Sequence, residues 1–203
     1  MKKYNYEGKT FNEAKEKALK EHNINEEDML IKITEEKNTL LKKNVKIEVV
    51  LINDLINYIK ETLTEILKLM DIEVNYEVRR RDDTITIKLF SNNNAILIGK
   101  NGRTISSLQT IVRQIVSKET NENIKIMLDV ENYKEKRIKN VEYLAKKLAR
   151  EVAKTKVDIK MDSMNSYERR VVHSILAKDK YVYTESIGEE PNRCVVIKLK
   201  EEN

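Results

Sequence analysis

Apolar residues along this chain keep two rhythms, one of three to four positions and one of two, and the two alternate from end to end. "KYNYEG" has the period of a short strand. Phe11, Ala14, Ala18 and Leu19 then recur at helical spacing, and Thr10 with Glu13 three positions on has the spacing of a capping box, which predicts a helix over 11–22. "MLIKIT" and "VKIEVVL" return to period two and predict strands. Residues 53–70 are helical through Leu55, Ile59, Leu63, Leu67 and Met70. "EVNYEVR" and "TITIKLF" flank "RDD", the pattern of a hairpin with Asp82 and Asp83 in its turn. "NNNAILI" predicts a short helix, residues 103–118 a longer one through Ile105, Leu108, Val112 and Ile115, and "NIKIMLDV" a strand. A long helix over 131–155 follows, with Ile138, Val141, Ala145, Leu148 and Val152 on one stripe. Then come a short strand, "VDIKM", and a helix in "NSYERRVVHSILAKD" capped by Asn165 or Ser166. Two strands, "KYVYTESIG" and "RCVVIKLK", close the chain around a break at Gly188 and Pro191. The fold class is α+β, in three small units at 1–52, 53–130 and 131–203. Their orders are β-α-β-β, α-β-β-α-loop-α-β and α-β-α-β-β, with no Gly/Ser-rich linker and no internal repeat between them.

Composition sharpens this picture in a few places. Trp is absent and Phe occurs twice, so Ile, Leu and Val fill three small cores. The net charge of +5 lies mostly in the last third, and residues 131–156 alone hold nine basic and four acidic side chains. A basic face of this kind favours phosphate-bearing partners through counterion release; a solvated helix surface has the same charge count. Cys194 is the single cysteine, which allows no disulfide within the chain and fits a reducing compartment. "MKKYNYEGKT" lacks the apolar core of a signal peptide. The apolar runs fall far short of the ~20 residues of a membrane helix. The expectation is a cytoplasmic chain without a membrane span.

Two of the four glycines fall in "ILIGKNGRTI". Gly99, Lys100, Asn101 and Gly102 sit at the joint of two predicted helices, with Arg103 next. Glycines let a ligand backbone approach the main chain. The first amides of the following helix have no intrahelical partner and, with the helix dipole, favour an anion. Lys100 and Arg103 add mobile positive charge, and Asn101 tolerates left-handed backbone angles. The constellation suits a sugar-phosphate backbone; a tight turn between packed helices has the same spelling. It is no P-loop, because the GxxxxGK[ST] spacing is missing. With its flanking elements, residues 53–130 resemble a type II KH domain, of order αββααβ. The resemblance implies that Gly99, Lys100, Asn101 and Gly102 form the loop that clamps about four nucleotides.

"YERRVVH" sets Arg169 and His173 four residues apart on one helical face, with Arg170 about 100° around. An arginine and a histidine so placed can donate to one phosphate; a histidine half-buried at the sheet and bonded to a backbone carbonyl is the alternative. "MNSYERRVVHSIL" followed by "TESIGEEPNRCVVI" resembles the R-three-H domain in the form found in the Jag family, also called KhpB or EloR. That family joins a Jag N-terminal domain, a type II KH domain and an R-three-H domain, and "LDVENYKEKRIKNVEYLAKKLAREV" resembles its helix between the last two. The resemblance places the signature pair at Arg169 and His173. It places a glycine-glutamate-proline turn at Gly188, Glu189, Glu190 and Pro191, with Arg193 just after. "EGKTFNEAKEKALKEHNI" resembles the Jag domain, but "EEKNTLLKKNV" stands where relatives carry a glycine-rich stretch.

What the resemblance implies is a non-catalytic binder of single-stranded RNA, with single-stranded DNA as a second ligand of the same chemistry, linked to cell elongation and division. Gly99, Lys100, Asn101, Gly102, Arg103, Arg169, Arg170, His173 and Arg193 would contact RNA, and the basic helix 131–156 would bridge the two motifs. The family also pairs with a small single-KH protein, and KH self-association leaves a homodimer open. A protein-interaction adaptor near envelope or membrane-insertion machinery is the alternative. The residues argue against catalysis. Two histidines in different units and one cysteine cannot converge as a usual zinc cluster. No GxSxG occurs, and Asp82–Asp83 have no visible partner for acid–base work. No cofactor or metal is expected, and Cys194, inside an apolar strand, is expected to pack.

Overall fold

The structure, a computed structural model, describes the backbone of residues 1–39 and 42–200. The first elements are β1 (Tyr4–Gly8), α1 (Phe11–His22), β2 (Met29–Thr39) and β3 (Lys42–Leu51), with a single 3-10 turn at Glu26–Asp28 before β2. The sheet runs β1-β3-β2, antiparallel throughout. Thr10 Oγ1 accepts from the Glu13 amide at 3.2 Å. The Glu13 carboxylate reaches back to the Lys9 amide at 2.9 Å, one residue before the usual capping-box partner. Ala14 and Ala18 lay α1 on Met29, Val45, Ile47 and Val49.

The hairpin of β2 and β3 runs past this core. The alternation at Ile31 and Ile33 stops, yet pairing continues through Glu36↔Val45 and Lys37↔Asn44 to Thr39↔Lys42, after a bulge between Ile33 and Glu35. Main-chain pairing and charge hold it there. Glu35 meets Lys37 at 2.6 Å and Lys46 at 2.7 Å, and the two ammonium groups push its carboxyl down to about 2. The glycine-free "EEKNTLLKKNV" is therefore strand on both sides of residues 40 and 41, which lie outside the described residues.

Next come α2 (Ile52–Lys68), β4 (Val74–Arg81), β5 (Thr84–Ser91), α3 (Asn94–Ile98), α4 (Arg103–Thr120) and β6 (Lys125–Val130), with sheet order β4-β5-β6. α2 buries Leu55, Ile59, Leu63 and Leu67, and β5 buries Ile85, Ile87 and Leu89. Asp82, at φ 50°, makes the predicted hairpin turn. α2 stops at Lys68, two residues before the predicted end; Leu69 is exposed, and Asp71 turns the chain at φ 55°.

The last elements are α5 (Tyr133–Thr155), β7 (Ile159–Lys160), α6 (Ser166–Leu176), β8 (Val182–Ile187) and β9 (Cys194–Leu199), with sheet order β7-β9-β8 and antiparallel pairing. Val141, Ala145, Ala149 and Val152 of α5 meet Val172 and Leu176 of α6 and Val182, Val195 and Ile197 of the sheet. Cys194 is buried.

Packing groups these elements into two compact units. Among the described residues, one holds 1–39, 42–93 and 107–128; the other holds 94–106 and 129–200. The glycine loop thus belongs to the unit that holds the C-terminal elements.

Candidate nucleic-acid interface

The loop begins where α3 ends. Gly99 has φ 70°, a 3-10 turn covers Lys100–Gly102, Asn101 sits in the left-handed region at φ 55°, and Gly102 has φ 76°. A Cβ on Gly99 would lie 2.1 Å from Thr104 Oγ1, and one on Gly102 would lie 2.8 Å from the Tyr133 ring. Positive φ and close packing each demand glycine at both positions. The packing reading thus accounts for both residues without a ligand.

The expectation that this bend presents its amides outward needs correction. Gly99 N–H donates to Ala95 at 2.9 Å, Gly102 N–H to Gly99 at 3.2 Å and Arg103 N–H to Lys100. Gly102 itself is buried. The tight 3-10 turn uses these amides internally, so an open cradle of the Gly99, Gly102 and Arg103 amides is not present. Lys100 and Arg103 are exposed, and Asn101 is half-buried.

The side chains of the loop reach into the C-terminal elements of the same unit. Asn101 Nδ2 donates to the Ser163 carbonyl at 2.9 Å. Arg103 Nη2 donates to Ser163 Oγ at 3.2 Å and to the Pro191 carbonyl. Ser163 and Pro191 belong to two segments that Arg169 holds together: its Nη1 donates to the Met164 carbonyl at 2.8 Å and to Glu190 Oε1 at 2.7 Å. Met164 N–H closes the set by donating to the Arg193 carbonyl at 3.1 Å. The segments at 163–164 and 190–193 therefore form one ledge, with Arg169 behind it and the glycine loop on it.

Arg169 is 8 % exposed. Its position on α6 explains this, since Val172 and Leu176, three and seven residues on, are both buried. Its neighbour Glu168 is 2 % exposed, accepts from Arg137 Nε of α5 at 2.8 Å and completes a capping box with Asn165. His173 is half-buried, with Nδ1 2.6 Å from Thr184 Oγ1 and Nε2 2.8 Å from Ser186 Oγ. Arg169 and His173 are both engaged by the protein and do not present a shared pair of donors for one phosphate. The alternative reading set His173 against the sheet, and there it lies, but it bonds two hydroxyls and not a carbonyl. Arg170 and Arg193 are exposed. Sequence reasoning missed Ser163 and Tyr133, for which no signal exists, and Glu168, whose place three residues after the Asn165 cap was a signal.

Burial, reinforced by the charge of Arg169, holds the His173 imidazole below its ordinary pKa. The unfolded chain therefore takes up this proton more readily than the folded one. Stability from this site is complete above about pH 6.5 and is lost as pH falls toward the folded value. Thermal unfolding followed from pH 7.5 down to 5 is expected to show a falling midpoint that His173→Gln flattens; an identical pH profile in the variant refutes the assignment.

Three protein families match successive parts of the chain. The Jag N-terminus family matches residues 6–51, the KhpA/KhpB KH domain matches 56–128, and the R-three-H domain matches 139–199. RNA-binding protein KhpB of Bacillus subtilis is 30 % identical over 200 residues, which cover 95 % of this chain and 96 % of that protein. The chain belongs to the KhpB family. The KhpB of Clostridium symbiosum is 42 % identical over 134 residues, 66 % of this chain, and that of Lactiplantibacillus plantarum 32 % over 146 residues, 72 % of it. The matches span only 60 % and 44 % of those two relatives' own lengths. The glycine loop lies in the segment that the KH domain matches, and the ledge beneath it lies in the segment that the R-three-H domain matches. KH and R-three-H are non-catalytic families. Among the described residues no group of His, Cys, Asp and Glu could hold a metal ion, and no helix is long and apolar enough to cross a membrane.

Proposed function

We propose that this KhpB-family chain binds single-stranded RNA without catalysis, at a surface shared by the KH loop and the R-three-H ledge. One observation carries the reading: hydrogen bonds join the loop to residues 62 and 88 positions away, so that the loop bearing Lys100 and Arg103 meets the ledge bearing Arg193. Lys100, Arg103, Arg170 and Arg193 supply mobile charge for phosphates. The guanidinium of Arg103 has five N–H donors, so its bonds to Ser163 and Pro191 leave capacity for an anion. Gly99, Asn101 and Gly102 shape the bend, while Arg169 and His173 hold the ledge from within. The relatives' names, RNA-binding protein KhpB, support the same ligand class. With this reading go the modules 1–52, 53–130 and 131–203, a cytoplasmic setting, a role in post-transcriptional control of cell elongation and division, and a small single-KH partner.

The test is fluorescence anisotropy with a mixed-sequence single-stranded RNA at several salt concentrations. Affinity falls with salt by a slope of about 0.7 for each phosphate neutralised on a single strand. Three or four contacts give a slope of about 2 to 3. Absence of binding at low salt overturns the reading in favour of the protein-interaction adaptor.

A further inference from the structure

The outer face of α5 carries a second feature that the KH loop and R-three-H ledge do not use. At about 100° per residue, Lys136, Lys139, Lys146, Lys147, Arg150 and Lys154 fall within a sector about 100° wide, opposite the buried Val141, Ala145, Ala149 and Val152. Tyr143 stands near the middle of that sector and is 71 % exposed. All six cations are exposed. The acids of α5 (Glu135, Glu142 and Glu151) fall outside the sector, and among the described residues only Lys139 of the six pairs with a carboxylate, that of Glu135 at 2.6 Å.

An ordinary solvated face mixes its signs, and α1 of this chain does so: Lys17 pairs with Glu13 and Lys20 with Glu16, each one helical turn away. In a chain with 39 basic and 34 acidic residues, a one-sign sector five turns long is a departure from that pattern. From Lys136 to Lys154 it extends about 27 Å at 1.5 Å per residue. It starts beside the KH loop, because Tyr133 in the first turn of α5 packs on Gly102. A large aromatic left in water amid cations suits a base stacked on its ring, with phosphates on either side.

We propose that this α5 face is a second RNA-binding surface, a track on which the strand leaving the KH loop lays its phosphates against the six cations and stacks a base on Tyr143. The inference rests on the RNA-binding reading above and adds to it a footprint longer than the about four nucleotides that a KH loop clamps.

Oligouridylates of 5 and 18 nucleotides test it, with the full chain, its Lys146→Gln/Lys147→Gln/Arg150→Gln triple variant, Tyr143→Ser and Tyr143→Phe. Glutamine is a good helix former, and circular dichroism confirms that each variant stays folded. For the 18-mer the triple variant is expected to lower the salt slope by about 2, at about 0.7 per phosphate. Tyr143→Ser is expected to weaken it about tenfold, within the range of one base–aromatic stack, and Tyr143→Phe to keep wild-type affinity. The 5-mer, held at the KH loop, is expected to bind all four proteins alike. If the triple variant and Tyr143→Ser bind the 18-mer as the wild type does, the track is refuted while RNA binding at the loop stands. Equal weakening at both lengths shows diffuse steering and also refutes it. If the wild type binds neither oligomer, both readings fall together.

Discussion

Lys100→Asp is expected to weaken single-stranded RNA binding by about 10- to 100-fold and to lower the salt slope by about one unit. A hydrogen bond to a charged group contributes about 1.5–3 kcal/mol, and a contact that neutralises one phosphate contributes about 0.7 to the slope. Reversing the charge removes both and adds repulsion. Lys100 is exposed at the bend, so the variant is expected to melt with the wild type. Asn101→Asp is the informative companion. Asn101 donates to the Ser163 carbonyl, and a carboxylate there would face that oxygen as a second acceptor. It is expected to weaken binding by lifting the loop from its ledge, with a lower melting point for the C-terminal unit. Wild-type affinity and slope in Lys100→Asp would remove the KH loop from the RNA path.

The elements were legible because their signals are local. Alternation at Ile85, Ile87 and Leu89 and capping at Thr10 and Asn165 need no knowledge of the rest of the chain. Residues 35–39 and 42–44 were not legible as strand, since main-chain pairing and the Glu35–Lys46 contact hold them without an apolar alternation. The glycine loop shows the same limit from the other side. Its composition advertised a bend and positive charge, and both are present. What occupies its amides depends on a 3-10 turn, and what its side chains grip depends on Ser163 and Pro191, far along the chain. No spacing rule connects those positions. Arg169 was read as a ligand group because an arginine one turn from a histidine suits phosphate. Its register with Val172 and Leu176 on the buried stripe of α6 pointed inward all along.

That inward position sets the second expected result. Arg169→Ala is expected to destabilise the C-terminal unit by about 2–3 kcal/mol, the scale of charge-assisted hydrogen bonds lost from a buried side chain, and to weaken RNA binding at an unchanged salt slope. A direct phosphate contact would instead lower the slope by about 0.7. The slope separates the two roles because it counts neutralised phosphates and is blind to a ledge that has lost its shape. A double-mutant cycle with Arg103→Ala then asks whether the ledge is shared. Arg103 and Arg169 donate to different oxygens, but those oxygens lie in the same two segments, Ser163–Met164 and Glu190–Pro191. Residues joined through a common backbone segment show coupling of about 0.5–3 kcal/mol, whereas independent sites add within about 0.5 kcal/mol. Coupling in unfolding free energy is therefore expected between Arg103 and Arg169. Strict additivity, with both single variants folded, would show that the loop rests on the ledge without depending on it. Arg169 would then serve the R-three-H domain alone.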